Sequence, residues 1–168
     1  MLCLIIMVSD TNERARKKRR NTLRLRHLDY ASSRAYFITV CAADGRCAFS
    51  DTRTAEKALE VLKKARERNS YKIYAYCLMP DHLHLLVNPG DSGVAVSRFL
   101  QTFKSQTGYW YKREHEGNLW QRGFYDHVVR KSEDLAKIAQ YILNNPVRKN
   151  LTENADDYPF SGMWDMIE

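Results

Sequence analysis

Two histidines one residue apart, His82 and His84, and a tyrosine followed four positions later by an asparagine, Tyr141 and Asn145, are the side chains whose types and spacing could do chemistry. On a β-strand residues i and i+2 point to the same face. His82 and His84 would therefore stand side by side as a two-nitrogen metal clamp, with Leu83, Leu85 and Val87 on the opposite face. On a helix Lys137, Tyr141 and Asn145 fall at i, i+4 and i+8 and share a face. A phenol ordinarily ionises near about pH 10, so Tyr141 acting as a nucleophile needs a cation close by. A divalent ion held by His82, His84 and the Asn145 oxygen would polarise a phosphate under attack. Mg²⁺ or Mn²⁺ suits such a mixed imidazole and oxygen site with positions left open for substrate oxygens. Both patterns also have a plain reading, as solvated histidines and as ordinary helix-surface residues.

The elements that must position these groups follow from periodicity. Tyr36 to Cys41 is β-branched and aromatic and reads as a first strand. Thr54 to Asn69 places Ala58, Leu62 and Ala65 at helical spacing. Tyr71 to Met79 and His82 to Asn88 are apolar runs folded about a Pro80-Asp81 turn, giving a hairpin whose second strand carries the histidines. Pro89 to Gly93 breaks the chain. Val96, Phe99, Leu100, Phe103 and Trp110 then form the apolar stripe of a second helix running to about Lys112. Glu114 to Leu119 is a polar loop, and Phe124 to Arg130 a fourth strand. Ser132, with Glu133 and Asp134 in the first turn, is expected to cap a last helix. Its buried stripe is Leu135, Ile138, Ala139 and Ile142, and it stops near Asn145 because Pro146 disfavours helical geometry in the residue before it. The order β-α-β-β-α-β plus a C-terminal helix predicts an α+β, ferredoxin-like or RRM-like antiparallel sheet. Two helices are expected on one face and the other face left for a ligand.

The chain has 168 residues and a formal charge of +7. That length suits one domain with a genuine core, and the charge makes a polyanion the first partner to consider. Eight of the thirteen residues from Arg14 to Arg26 are Arg or Lys. This block, which includes Arg16, Lys17, Lys18, Arg19 and Arg20, reads as an arm for a phosphate backbone or as a solvated tail. Residues 1–30 are therefore assigned to a basic extension and 31–168 to a single domain. Met1 to Val8 is short and precedes the basic block, the wrong order for a secretory signal, and Met7 is an alternative start. No apolar run approaches a bilayer span. The four cysteines, Cys3, Cys41, Cys47 and Cys77, show no C-x-x-C spacing, and reduced thiols in the cytosol are the simplest reading.

Three segments in this order resemble a known family. They are His82-Leu83-His84 with its apolar neighbours, Trp120 to Arg130 (WQRGFYDHVVR), and Tyr141 to Arg148 (YILNNPVR). Together they look like the REP-associated tyrosine transposases, relatives of the single-tyrosine HUH transposases of bacterial insertion sequences. The likeness runs from about Arg19 to Gly162. It implies that His82 and His84 bind a divalent metal, Mg²⁺ or Mn²⁺, that Asn145 completes the site, and that Tyr141 is the nucleophile. The implied substrate is single-stranded DNA with a short palindromic hairpin, cleaved through a 5′-phosphotyrosine link and rejoined to another end. The implied setting is the bacterial cytosol at the nucleoid, as monomer or homodimer. Trp120, Gln121, Arg122, Arg130 and Lys137 are candidate DNA contacts, with a core role weighed equally for Trp120. His127 is either a DNA-orienting group or, as favoured, a buried hydrogen-bonding residue. The segment Asp156 to Phe160 is expected to pack over the domain near the site. A non-catalytic RRM-like module is the competing reading, but it expects aromatics where the third strand has histidines. A zinc deaminase would need a Glu beside the first His and a Pro-Cys-x-x-Cys, and both are absent.

Overall fold

The computed structural model describes residues 34–130 and 134–167. The basic arm with Arg16, Lys17, Lys18, Arg19 and Arg20, the extension 1–30 and Ser132 all lie outside the described residues. Strand β1 (Tyr36–Cys41) is followed by helix α1 (Thr52–Asn69), strands β2 (Lys72–Met79) and β3 (His82–Asn88), helix α2 (Val96–Tyr111) and strand β4 (Tyr125–Val128). Helix α3 (Leu135–Leu143), the short helix α4 (Asn145–Arg148) and strand β5 (Ser161–Gly162) complete the chain. One antiparallel sheet has the order β4-β1-β3-β2-β5, so the histidine strand lies in the middle. The α+β class and the split β-α-β order are as the sequence implies.

Alternation sorts the sheet into two faces. Tyr36, Ile38 and Val40 of β1, with Leu83, Leu85 and Val87 of β3, pack with Ala58, Leu62, Phe99, Leu100 and Phe103 of α1 and α2 into the main core. The opposite face carries Ala75, Cys77 and Met79 of β2 and Leu86 of β3, and here Ala139 and Ile142 of α3 close a second, smaller core. The expectation of an open second face is thus corrected. Apolar residues on both faces of β2 and β3 call for a layer on each side, and α3 supplies the second one, leaving the β1–β4 part of that face to solvent.

Local boundaries follow physical signals. Asp51 caps α1, its carboxylate accepting from the Thr54 amide at 2.9 Å and the Thr54 hydroxyl at 2.6 Å. Asp134 caps α3 by accepting from the amides of Ala136 and Lys137, so the helix begins two residues later than a Ser132 cap would place it. A carboxylate reaching two orphan amides satisfies both at once. Pro146 ends α3 as expected, yet the chain restarts at once as α4 with that proline in its first turn, where its missing N–H costs nothing.

The C-terminal segment straps the free edge of β2, an arrangement with no periodicity in the sequence to announce it. Leu78 donates its amide to the Phe160 carbonyl and accepts at its own carbonyl from the Tyr158 hydroxyl, each at 2.8 Å. Tyr76 pairs with Gly162 and lies tilted against Trp164 with centroids 4.4 Å apart. Asp165 accepts from both Arg66 nitrogens and from the Ile73 amide at 2.7 Å. The Arg66 hydrogen bonds, more than any other contact, hold the Asp165 carboxyl below its ordinary value. A carboxyl depressed by folding stabilises above its unfolded pKa and loses that contribution as pH falls through the folded one. Asp165→Asn should therefore cost about 1–3 kcal/mol in urea unfolding at neutral pH. The gap from wild type should close as pH falls below about 3.8.

Candidate active site

His82 and His84 are both nearly buried, an uncommon place for two imidazoles, and their rings lie on the α3 side of β3. Their Nε2 atoms are 3.0 Å apart. The far nitrogens are occupied. Nδ1 of His82 lies 2.6 Å from the Asp81 carboxylate, and Nδ1 of His84 lies 2.9 Å from the hydroxyl of Thr39, its cross-strand partner. A carboxylate only accepts, so His82 donates from Nδ1 to Asp81 and turns its Nε2 toward His84. Burial first, and the neighbouring His82 second, push the His84 pKa down to about 3, so this ring is neutral at physiological pH. Two such nitrogens in contact share either one proton or an ion that draws on both lone pairs. The donor set fits a divalent cation, and the outer Asp81 and Thr39 partners orient the rings as ligand-supporting groups do.

Asp81 and Thr39 were not singled out from sequence. Asp81 stands immediately before the first histidine in a two-residue turn, where the sequence signals only a turn; Thr39 becomes visible only through the β1–β3 register. The turn is fixed from outside, its two carbonyls accepting from the amides of Ala42 and Phe49. Cys77, the other cross-strand neighbour of His84, is buried and its thiol is pushed up to about 12 by that burial. Burial thus favours the protonated thiol.

Tyr141 projects from α3 on the histidine side of the sheet, half-exposed, with its ring edge-on to Phe37 at 6.1 Å between centroids. Phe37 in turn lies 5.4 Å from the His84 ring. A single phenyl ring thus bridges phenol and imidazole pair. The Arg148 guanidinium lies over the Tyr141 ring, 4.7 Å from its centroid, and supplies a cation beside the hydroxyl-bearing ring. Asn145 is buried and spends its amide nitrogen on the carbonyls of Tyr141 and Ile142, at 2.8 and 3.3 Å. A carbonyl only accepts, so the Asn145 group facing these two is its amide nitrogen, and Oδ1 is the end not spent on them. Phe37 and Arg148 are further residues whose part is visible only once β1, α3 and α4 are packed together.

The remaining candidates separate by burial. Trp120 is core, 4.8 Å from Phe49 and 5.4 Å from Phe103 by ring centroids, with its indole N–H donated to Thr107 at 2.7 Å. Of the two roles weighed for it, core and DNA stacking, the structure bears out the core one and corrects the stacking one: Thr107 gives the buried indole the partner it needs. Gln121 and Arg122 are exposed in the loop beyond it. Lys104 of α2 holds that loop, donating to the carbonyls of Gln121 and Gly123 at 2.6 Å each. The Gln121 amide binds the carbonyl of Cys41, whose cross-strand partner is His82, so the loop lies at the histidine end of the sheet. Arg130 is exposed just past β4, and Lys137 is exposed on α3 with Asp134 at 3.6 Å. His127 is exposed on β4, which corrects the expectation of a buried hydrogen-bonding histidine: β4 is an outer strand, and the α3 layer packs on β2 and β3 instead. Asp156 to Phe160 packs on the outer edge of β2, one strand from the histidines.

Comparison with known proteins agrees with this architecture. The profile of the family described as Transposase IS200 like matches residues 31–145. A REP-associated tyrosine transposase of Escherichia coli is 27% identical over 134 residues, covering 79% of this chain and 78% of the relative. A candidate protein of that kind from Haemophilus influenzae is 27% identical over 144 residues, covering 79% and 81%. A solved structure of a REP-associated tyrosine transposase bound to a REP hairpin superposes with a TM-score of 0.62 at 23% identity, covering 77% of this chain and 76% of the other, and shares the fold. Among the described residues no helix is long and apolar enough to cross a membrane. The chain belongs to the IS200-like transposase family.

Proposed function

We propose that this transposase cleaves and rejoins single-stranded DNA beside a short palindromic hairpin, with Tyr141 as nucleophile. The observation that carries this reading is the convergence of the two Nε2 atoms at 3.0 Å on the sheet face that also bears the phenol, with one phenyl ring between them. His82, His84 and Oδ1 of Asn145 would hold a divalent ion, Mg²⁺ or Mn²⁺, which when bound polarises the scissile phosphate.

The chain's own residues do the rest. Asp81 and Thr39 fix the imidazole orientations, and Arg148 offsets negative charge developing on the phenol. The Tyr141 oxygen forms a bond to phosphorus as the bond from phosphorus to the 3′ oxygen breaks. The phenolic proton is lost to solvent and a proton is taken up by the departing 3′ oxygen, leaving a 5′-phosphotyrosine and a free 3′-hydroxyl. Attack by another 3′-hydroxyl reverses the step and transfers the strand, so the phosphate ester's energy is kept and no external energy source is required. The hairpin enters this reading because a relative's structure holds one and because the +7 chain favours a polyanion. The competing binding-module reading expects exposed aromatics on the third strand, where this chain buries two histidines.

Incubating the full chain with end-labelled hairpin DNA carrying unpaired arms, with and without Mn²⁺, tests the reading on a denaturing gel. The expected result is a slow-migrating covalent protein–DNA species that needs Mn²⁺ and disappears on protease treatment. Cleavage without any such species would replace the phenol by water as the attacking group.

A further inference from the structure

Strand β4 presents a surface that the catalytic reading leaves unused. Tyr125 is 53% exposed, large for a tyrosine on a sheet strand, and His127 two residues on is exposed as well. Tyr125 pairs with Thr39, and Thr39 pairs with His84, so one cross-strand row runs from the outer strand directly to the metal-clamp imidazole. His127 pairs with Phe37, the ring that lies between His84 and Tyr141. Partners in a row share a face, so both exposed rings stand on the side of the sheet that carries the imidazoles. Exposed guanidinium side chains, Arg122 before the strand and Arg130 after it, lie at either end.

We propose that this face of β4, with Tyr125 and His127 as stacking surfaces, seats the unpaired nucleotides next to the attacked phosphate and leads the strand toward Tyr141. The inference rests on the strand-cleavage reading above and names the residues that would receive its substrate. Side chains at i and i+2 stand about 7 Å apart along a strand, which lets successive splayed bases each meet a ring. Paired bases are already stacked within a duplex, so exposed rings of this kind favour a single strand. The flanking guanidiniums suit its phosphates rather than an apolar protein partner. Tyr125 touches no reacting atom on this account; it is a positioning residue.

The test compares two hairpins in EDTA, one blunt and one with unpaired arms carrying 2-aminopurine, bound by the full chain. Tyr125→Ala is expected to weaken binding of the armed hairpin by roughly five- to 150-fold and to change blunt-hairpin affinity by less than about two-fold. His127→Ala should act in the same direction with a smaller loss, and Tyr125→Trp should restore armed-hairpin affinity. The 2-aminopurine quench seen with wild type should vanish in Tyr125→Ala and return in Tyr125→Trp. Equal losses on both hairpins would reduce Tyr125 to a structural residue, and full armed-hairpin affinity in Tyr125→Ala would overturn the proposal outright. Binding in EDTA needs no cleavage. A wild-type chain that forms no covalent adduct therefore counts against the cleavage reading alone, whereas an adduct-forming chain indifferent to Tyr125 counts against the β4 surface alone.

Discussion

Tyr141→Phe is expected to abolish the covalent DNA adduct and to lower hairpin cleavage by at least about 10³-fold, the scale seen when a nucleophile is removed and binding is left in place. The substitution takes away one oxygen. The ring remains, and with it the edge contact to Phe37 and the stack of Arg148, so neither α3 nor the short helix after it loses packing. Hairpin affinity and melting temperature should therefore stay close to wild type. The measurement is a pair of gels, denaturing for the adduct and native for binding, with a thermal melt alongside. An adduct that persists in Tyr141→Phe would move the nucleophile to another hydroxyl and remove α3 from the chemistry. If cleavage is lost together with binding and melting temperature, the oxygen has a structural part that its half-exposed position does not suggest.

Much of the fold is legible because the signals are local. Alternation over Tyr36 to Cys41 and His82 to Asn88, helical spacing in Thr54 to Asn69, and the Pro89 to Gly93 break give the central elements within a residue or two. The clamp is legible for the same reason: i and i+2 on a strand share a face whatever else the chain does. Three things escaped. The position of α3 depends on the second face of β2 and β3 being apolar, and the run Tyr71 to Met79 is apolar on both sides without saying which helix covers which. Packing of Asp156 to Phe160 on the domain is expected, but the rest of the strap, Trp164 and Asp165 on β2, relies on contacts nearly a hundred residues apart, such as Arg66 with Asp165, that leave no periodic trace. The sequence leaves Trp120 open between core and DNA stacking, and it points His127 inward where the structure exposes it. A short segment between a loop and an edge strand has too few residues to reveal which side faces solvent. Thr107, four residues after Phe103 on α2, is the partner that draws the indole in.

The site shows the same division. Residue types name His82, His84, Tyr141 and Asn145, but the groups that orient them come from register and packing. Thr39 reaches His84 because Thr39 and His84 are cross-strand partners. Phe37 lies between phenol and imidazole because its alternate position on β1 faces α3. Arg148 reaches back over Tyr141 because α4 restarts immediately after α3.

Replacing both histidines, His82→Ala with His84→Ala, is expected to remove the divalent-ion dependence of the protein altogether. Wild type has two Nε2 atoms 3.0 Å apart whose rings are oriented by Asp81 and Thr39, so a cation finds two donors already in place. With Mn²⁺ at about a hundred times its Kd, binding to the folded state alone stabilises it by about 2.7 kcal/mol. A domain of this size responds with a rise of several degrees in melting temperature, and the double variant should show none. It should also lose Mn²⁺-dependent cleavage while still binding the hairpin. The variant melts lower to begin with, because two nearly buried rings leave cavities, so the quantity compared is the shift caused by Mn²⁺ within each protein. Asp81→Asn supplies the graded case. It keeps both ligands but weakens the hydrogen bond that fixes the His82 ring, and should raise the Mn²⁺ concentration needed for half the shift by about 10- to 100-fold. A full shift in the double variant would place the ion elsewhere in the molecule. A shift in wild type with unchanged response in Asp81→Asn would leave the imidazoles as ligands and take the carboxylate out of their support.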